Sequence, residues 1–133
     1  MKTYRVLLAS IAVLLLAGCA TTPTRPVKSD FLDIPVPQGM AYVPNRSTVI
    51  ESPAVRAARF VYRGRLEIGS LGTSMQGGLE RSGWRRVSVA TTSTDATTQL
   101  YEKAGNYLQV VLWEGSWYTY MEVTASRALQ AMK

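Results

Sequence analysis

Residues 55–84 read VRAARFVYRGRLEIGSLGTSMQGGLERSGW, and within this stretch the spacing of the apolar side chains changes. The first part alternates, with Phe60 and Tyr62 on one side and Arg59, Arg63 and Arg65 on the other. Val61 lies among the arginines. Apolar residues at every second position are typical of a strand with one buried face. The sequence therefore predicts a strand that begins near residue 55.

After this strand the apolar period lengthens to that of a helix. Ile68, Leu71, Met75, Gly78, Leu79 and Ser82 fall within one narrow arc. We expect Leu71, Met75 and Leu79 to be buried and Glu80 and Arg81 to be exposed. Gly83 follows the last periodic residue, as a helix C-cap does. Gly78 on the buried stripe predicts a close approach to the sheet, with a hinge as the alternative.

The flanking sequence predicts further strands. They are Thr48–Glu51 before the helix, and Trp84–Ala90, Gln99–Lys103, Tyr107–Glu114 and Trp117–Thr124 after it. Arg127–Met132 predicts a short terminal helix. DIPVPQGM, at 33–40, predicts an extended segment that docks through Ile34, Val36 and Met40, since its prolines exclude a central strand. The expected fold is α+β: a mainly antiparallel sheet of about five strands, in the order strand, helix and four-strand meander, with one helix packed on one face.

The amino terminus has the pattern of an export signal. Lys2 and Arg5 precede an apolar run of about eleven residues, which is shorter than the roughly 20 needed to span a bilayer. Leu16-Ala17-Gly18-Cys19 resembles the lipobox of bacterial lipoproteins at all four positions. The resemblance implies cleavage between Gly18 and Cys19 and a lipid on the Cys19 sulfur. An ordinary signal peptide or a buried core cysteine is the alternative.

The chain as a whole resembles the small uncharacterised lipoproteins of the bacterial envelope, including domain-of-unknown-function families with one compact α+β domain. The looser part of this resemblance lies in DIPVPQGM, YRG, SGW and LYEKAGN. It implies a signal peptide at 1–18, a lipidated cysteine and flexible linker at 19–32, and one domain at 33–133. Ala20, where an aspartate would retain a lipoprotein at the inner membrane, implies the periplasmic face of the outer membrane, or the cell membrane of a single-membraned organism.

Composition argues against most catalytic chemistry. The chain of 133 residues has no histidine and a single cysteine, which excludes an internal disulfide and the familiar Ser-His and Cys-His nucleophile pairs. Zinc sites built on cysteine and histidine are excluded as well, and no phosphate-binding glycine loop is present. We expect no enzymatic activity, no metal and no cofactor. The alternative is a small envelope enzyme that uses carboxylates only, which requires two of Glu102, Glu114 and Glu122 to converge.

The last hairpin carries many aromatic side chains on the face that the helix is not expected to cover. With Gly115-Ser116 as a two-residue turn, the pattern places Tyr107, Val111, Trp113, Tyr118 and Tyr120 together on that face. Three interpretations of this face stay open: that the segment Ile34–Met40 covers it, that aromatic cross-strand pairs stabilise the hairpin, or that the face is a binding surface.

A cluster of arginines lies close to these aromatics in the sequence. Its members are Arg56, Arg59, Arg63, Arg65, Arg81, Arg85 and Arg86. Arginine binds phosphate and carboxylate through paired hydrogen bonds and stacks on aromatic rings. Either the arginines form a solvated face and pair with carboxylates, or they attract a polyanion. In the envelope that polyanion is an acidic protein, an anionic lipid or an anionic polymer, and nucleic acid is not expected.

The function expected from the sequence is that of a lipid-anchored, non-catalytic binding or accessory module that faces the periplasm. Its membrane contact is the lipid on Cys19. The candidate binding surface consists of Trp113, Tyr118, Tyr120, Arg59, Arg63 and Arg65.

Overall fold

The computed structural model describes residue 31 and residues 33–92 and 95–128. These residues form a seven-strand antiparallel sheet and one α-helix, together with short 3₁₀ turns. The strands are β1 Ala41–Tyr42, β2 Thr48–Glu51, β3 Val55–Gly64, β4 Arg85–Thr91, β5 Thr97–Lys103, β6 Asn106–Glu114 and β7 Thr119–Ala128, and the helix α1 spans Ile68–Arg81. The α+β class, the position of the helix and the meander that follows it are as predicted, and β1 and β2 bring the strand count to seven.

The order of strands across the sheet is β3, β7, β6, β5, β4, with β1 and β2 both paired along the outer edge of β3. β3 alternates as predicted. Phe60 and Tyr62 are buried on the side that faces α1, whereas Arg59 and Arg63 are exposed on the opposite side. β7, the last of the described strands in chain order, therefore lies in the middle of the sheet.

Both ends of α1 are capped by local hydrogen bonds. The Glu67 carboxylate accepts from the backbone N–H groups of Gly69 and Ser70, each at 2.7 Å, which satisfies donors that the first turn leaves free. At the other end Gly83 has a φ of 86°, and Trp84 N–H donates to Leu79 O at 3.0 Å. This is the Schellman arrangement, so the predicted glycine C-cap is confirmed.

The buried stripe of α1 is the one that the periodicity predicts. Leu71, Met75 and Leu79 are at most 1% exposed, and Glu80 and Arg81 lie on the solvent side. The sheet residues that form the core beneath the helix are Phe60, Tyr62, Tyr101, Leu108, Val110, Leu112, Met121 and Val123. Burial of this apolar surface is the main stabilising contribution to the fold.

The hairpin between β6 and β7 differs from the predicted turn. Glu114 pairs with Thr119, and Gly115 N–H donates to Tyr118 O at 2.8 Å, so the loop has four residues instead of two. Trp113 consequently opposes Tyr120, whereas the two-residue turn placed Tyr118 opposite Trp113. The register moves by two residues, and because side chains alternate with a period of two, every predicted face is preserved.

The segment at residues 34–40 lies on the helix side of the sheet. Ile34 is buried, Val36 and Met40 pack against the core, and a methyl group placed on Gly78 would lie 2.8 Å from Pro35 Cγ. The predicted docking of this segment is confirmed, but the interpretation that it covers the aromatic face is wrong. Gly78 leaves room for a proline ring, so its close neighbour is this segment rather than the sheet.

The end of the described chain is a strand. Arg127 and Ala128 are the last residues of β7 and pair with β3, so the predicted helix Arg127–Met132 is wrong at these two positions, and residues 129–132 lie outside the described residues. Asp33 binds both Arg127 and Lys103, the latter at 3.2 Å. This double ion pair ties the N-terminal segment to the ends of β5 and β7.

The signal peptide at 1–18, the Cys19 lipidation site and most of the linker also lie outside the described residues, so these stay predictions. Within the described part of the chain, no helix is both long and apolar enough to cross a membrane.

Candidate binding surface

The sheet has one face under α1 and one face turned away from it, which we call the open face. Alternation along the central strands places Arg59, Arg63, Trp113, Tyr120 and Glu122 on the open face. Because residues 34–40 pack on the helix side, they do not shield these side chains. The open face is therefore the place where the predicted site residues meet.

A row of three side chains crosses the open face near the β6–β7 hairpin. Arg63 on β3 pairs in register with Tyr120 on β7, which pairs with Trp113 on β6. The Tyr120 and Trp113 rings are stacked, with centroids 5.4 Å apart and planes 11° from parallel. A stacked aromatic pair of this kind contributes about 0.5–1.5 kcal/mol beyond the area that it buries. The interpretation that aromatic pairs stabilise the hairpin is supported for this pair.

Three guanidinium groups lie over the tyrosines of this region. Arg63 and Arg65 lie 4.9 and 5.5 Å from the centre of the Tyr118 ring. Arg46, in the 3₁₀ turn between β1 and β2, lies 5.3 Å from the centre of the Tyr120 ring. Each distance is within the range of a cation–π interaction. We call Arg46, Arg63, Arg65, Trp113, Tyr118 and Tyr120 the basic-aromatic cluster.

The arginines named from the sequence divide into two groups. Three of them have carboxylate partners: Arg56 with Glu51, Arg59 with Glu122 and Arg85 with Glu102. Arg86 donates to the Gln76 amide oxygen at 2.5 Å. Arg63, Arg65 and Arg81 form no ion pair with the described residues, and neither does Arg46. The solvated, carboxylate-paired interpretation thus holds for the first group and not for the arginines of the cluster.

Arg59 borders the cluster, since its guanidinium donates to the Arg46 backbone oxygen at 3.3 Å. The same guanidinium donates to the Glu122 carboxylate at 2.6 Å. This hydrogen bond and the neighbouring negative charge raise the pKa of Arg59 above its ordinary value. Because its charge is balanced by Glu122, Arg59 is the weakest anion-binding group among the three predicted site arginines.

The tip of the hairpin adds an exposed aromatic side chain. Trp117 is 81% exposed, the largest exposure among the large hydrophobic side chains that the structure describes. An open depression of about 460 Å³ beside it is lined by Arg65, Glu114, Tyr118 and the loop residues between them. An indole held in solvent next to a guanidinium offers both apolar contact area and positive charge to a partner.

Five of the six predicted site residues are brought together, and two members of the surface were missed. Arg46 reaches Tyr120 only because the chain between β1 and β2 folds along β3, and no local pattern indicates this. Trp117 was assigned to a strand opposite Glu114, because Gly115-Ser116 satisfies the rule for a tight turn. Arg63 lies on the face that the alternation of β3 predicts. Arg65 and Tyr118 lie outside the strands, because β3 ends at Gly64 and β7 begins at Thr119, yet both lie beside Arg63 as grouped.

The three glutamates of the carboxylate-only alternative do not converge. Glu102 is in register with Tyr107 near the start of β6, whereas Glu114 ends the same strand, about 23 Å away at the usual rise. Glu122 contacts Arg59. The Gly105 N–H, and after it Arg85, lowers the pKa of Glu102, which is opposite to the shift that a general acid requires at neutral pH. No group of three potential metal ligands occurs within the described ranges.

Comparisons with protein-family models, with curated proteins and with solved structures find no match to this chain.

Proposed function

We propose that the protein is a lipid-anchored envelope protein, a non-catalytic binding module that faces the periplasm and binds an acidic protein through the basic-aromatic cluster. The observation that carries the proposal is the set of three arginines, Arg46, Arg63 and Arg65, which stack on tyrosines and form no ion pair with the described residues. The lipobox supports the anchor, and the exposed Trp117 at the hairpin tip beside the cluster supports the binding role.

The cation–π contacts leave these arginines available to an anion. A guanidinium over an aromatic ring has the π face as its partner, so its N–H groups can still donate to a carboxylate. The ring also restricts the side chain, so less conformational entropy is lost when a carboxylate binds. Carboxylate groups on a partner would therefore find donors that are already oriented.

The composition of the surface favours a protein partner. Tryptophan, tyrosine and arginine are the residues enriched among binding hot spots in protein interfaces. Trp117, Tyr118 and Arg65 supply all three types at one hairpin. This hairpin also lies at the end of the sheet opposite Asp33, about 27 Å away along β7, so it is remote from the point where the anchored segment joins the domain.

The test is photo-crosslinking in intact cells with a photoreactive amino acid in place of Trp117. We expect one discrete adduct with a second protein. Arg63→Glu should abolish that adduct. Arg81→Glu is the matched control, because Arg81 is exposed, forms no ion pair with the described residues and lies on the helix. The complex recovered in the same way should weaken as salt is raised, since the contacts are electrostatic and exposed.

Two results would contradict the proposal. One is an adduct that survives Arg63→Glu as well as it survives Arg81→Glu. The other is a parent protein that gives no protein adduct but binds vesicles of anionic phospholipid, with this vesicle binding lost in Arg63→Glu. That result would identify a lipid headgroup as the ligand. The anchor is tested separately: Cys19→Ser should remove incorporation of a palmitate analogue and leave the precursor uncleaved, because serine offers no thiolate to the lipid donor.

A further inference from the structure

The two edges of the sheet are treated differently by the fold. Along the outer edge of β3, β1 and β2 pair with the strand on either side of residues 43–47. Between them, Val43 N–H donates to Val61 O at 2.8 Å and Val61 N–H donates to the Ser47 hydroxyl at 3.0 Å. This edge is therefore hydrogen-bonded along nearly its whole length.

The opposite edge is β4, which pairs only with β5 among the described residues. All seven of its residues are exposed, and Val87 and Val89 are 47% and 49% exposed. The features that usually protect an edge from pairing are confined to the start of the strand, where Arg85 and Arg86 are charged and the register is irregular between Arg86 and Ser88. Residues 88–91 contain no charged residue and no proline. The edge of β3 is thus covered by two short strands, whose own outer edges offer only two and four residues. β4 instead presents free backbone donors and acceptors along seven residues, beside two valines.

We propose that the outer edge of β4 pairs antiparallel with the same edge of a second copy of this chain, about a twofold axis near Val89. A register irregularity between Arg86 and Ser88 leaves 88–91 as the regular part of the strand. An axis at Val89 places Val89 opposite Val89 of the second copy and Ser88 opposite Ala90, within this regular part. A cross-strand pair of β-branched side chains, such as the two Val89 residues, stabilises an antiparallel sheet.

The charges on β4 select the antiparallel direction. Arg85 and Arg86 stand at one end of the strand, and exposed Asp95 follows the other end. Arg85 is paired with Glu102, so Arg86 carries the unbalanced charge of the basic end. A parallel pair would place the two arginines of one copy against those of the other. The antiparallel pair instead separates them and brings each basic end toward Asp95 of the other copy. The strand is therefore complementary to itself, which is the condition for a closed twofold dimer.

The symmetry also fixes how the faces are arranged. The twofold axis between antiparallel strands is perpendicular to the sheet, so both copies of α1 lie on one side and both open faces lie on the other. A dimer would present two basic-aromatic clusters in the same direction. If these clusters bind as proposed above, the pairing makes the binding bivalent, although the pairing itself does not depend on that function.

The test is cysteine crosslinking of the full chain in its own envelope. In Val89→Cys, the Cα atoms of the two cysteines would be about 4.5–5.5 Å apart, a separation that a disulfide can bridge. We expect a band of twice the chain mass on a non-reducing gel. Ile50→Cys is the matched control, since Ile50 is 63% exposed on β2 at the other edge. The parent chain controls for Cys19.

A second measurement does not require a new cysteine. In sedimentation equilibrium of the full chain in detergent, Val89→Lys should convert the dimer to monomer, whereas Ile50→Lys should not. Both side chains are exposed, so the melting temperature should stay within a few degrees of the parent. A monomeric parent chain, equal crosslinking of Val89→Cys and Ile50→Cys, or a Val89→Cys adduct of some other mass would each overturn the proposal.

Discussion

The contact between Pro35 and Gly78 gives the sharpest stability test, because the adjacent Gly77 serves as its control. In a helix interior, replacing glycine by alanine stabilises by up to about 1 kcal/mol. At Gly77 a methyl group meets only the end of the flexible Arg81 side chain, at 3.3 Å. Gly77→Ala should therefore increase the free energy of unfolding by up to about 1 kcal/mol.

At Gly78 the stabilisation from the higher helix propensity of alanine is opposed by a steric clash between the new methyl group and Pro35. The new methyl carbon would lie 2.8 Å from Pro35 Cγ and 3.1 Å from Pro35 Cβ, closer than carbon atoms approach. Overpacking of this kind costs about 1–3 kcal/mol. Because the propensity gain is common to both variants, Gly78→Ala should be less stable than Gly77→Ala by about 1–3 kcal/mol.

Urea unfolding followed by tryptophan fluorescence measures both variants, and Pro35→Ala completes the comparison. In the Pro35→Ala background Cγ is absent, so the gap between the two glycine variants should narrow. Equal stabilisation by Gly77→Ala and Gly78→Ala in the parent chain would refute the reasoning, since it would mean that residues 34–40 do not lie on this part of α1.

Two further changes probe the core and the helix cap. Leu79→Ala, at a fully buried position, should lower the free energy of unfolding by about 2–5 kcal/mol in the same urea experiment; an unchanged unfolding midpoint would contradict the assignment of the buried face. Backbone N–H donors of Gly69, then of Ser70, lower the pKa of Glu67 from its ordinary value of 4.5. Its stabilising effect is therefore complete above pH 4.5 and is lost as the pH falls through the lowered pKa. Glu67→Gln should be less stable than the parent at pH 7, with a difference that shrinks on acidification; a difference independent of pH would contradict the cap.

The elements whose side chains repeat with a clear period could be predicted. The spacing of apolar residues changes from alternating in β3 to helical in α1, and the side chains that this spacing predicts to be buried are buried. The faces of β6 and β7 were also predicted, even though the turn was not. Gly115-Ser116 satisfies the local rule, but the pairing of Glu114 with Thr119 gives a longer loop whose register differs by an even number.

The features that escaped prediction depend on contacts distant in sequence. β1 has two residues, Ala41 and Tyr42, and no periodicity can be read from so short a strand. The apolar side chains of residues 34–40 could pack on either face of the sheet. The helix side is favoured by Gly78, beside which the Pro35 ring fits, and by the ion pairs of Asp33 with Lys103 and Arg127. Neither contact is signalled by the residues near Asp33 in the sequence.

The same limit applies to the candidate site. The alternation of β3 named Arg63, and the hairpin named Tyr118 and Tyr120, because side-chain direction along a strand follows from position alone. Which arginines keep an unbalanced charge depends on tertiary neighbours. Arg59 finds Glu122 across the sheet, 63 residues away, and this pairing removes it from the cluster.

The position of β7 has a consequence for how the protein reaches its folded state. β7 is the last of the described strands in chain order but lies between β3 and β6, where it joins two sets of strands that are otherwise unpaired with each other. Without it, β1, β2 and β3 form one piece and β4, β5 and β6 form another. Folding must therefore wait for the final ten residues of the sheet, and such non-local pairing is intrinsically slow.

For a chain that is exported as proposed, this order has a consequence. During synthesis, β1–β3 and β4–β6 cannot join in one sheet until β7 is available. The same holds on the far side of a membrane for a chain that crosses it from its amino terminus. Deletion of Thr119–Ala128 should accordingly abolish the sheet as a whole, instead of removing one strand from its edge.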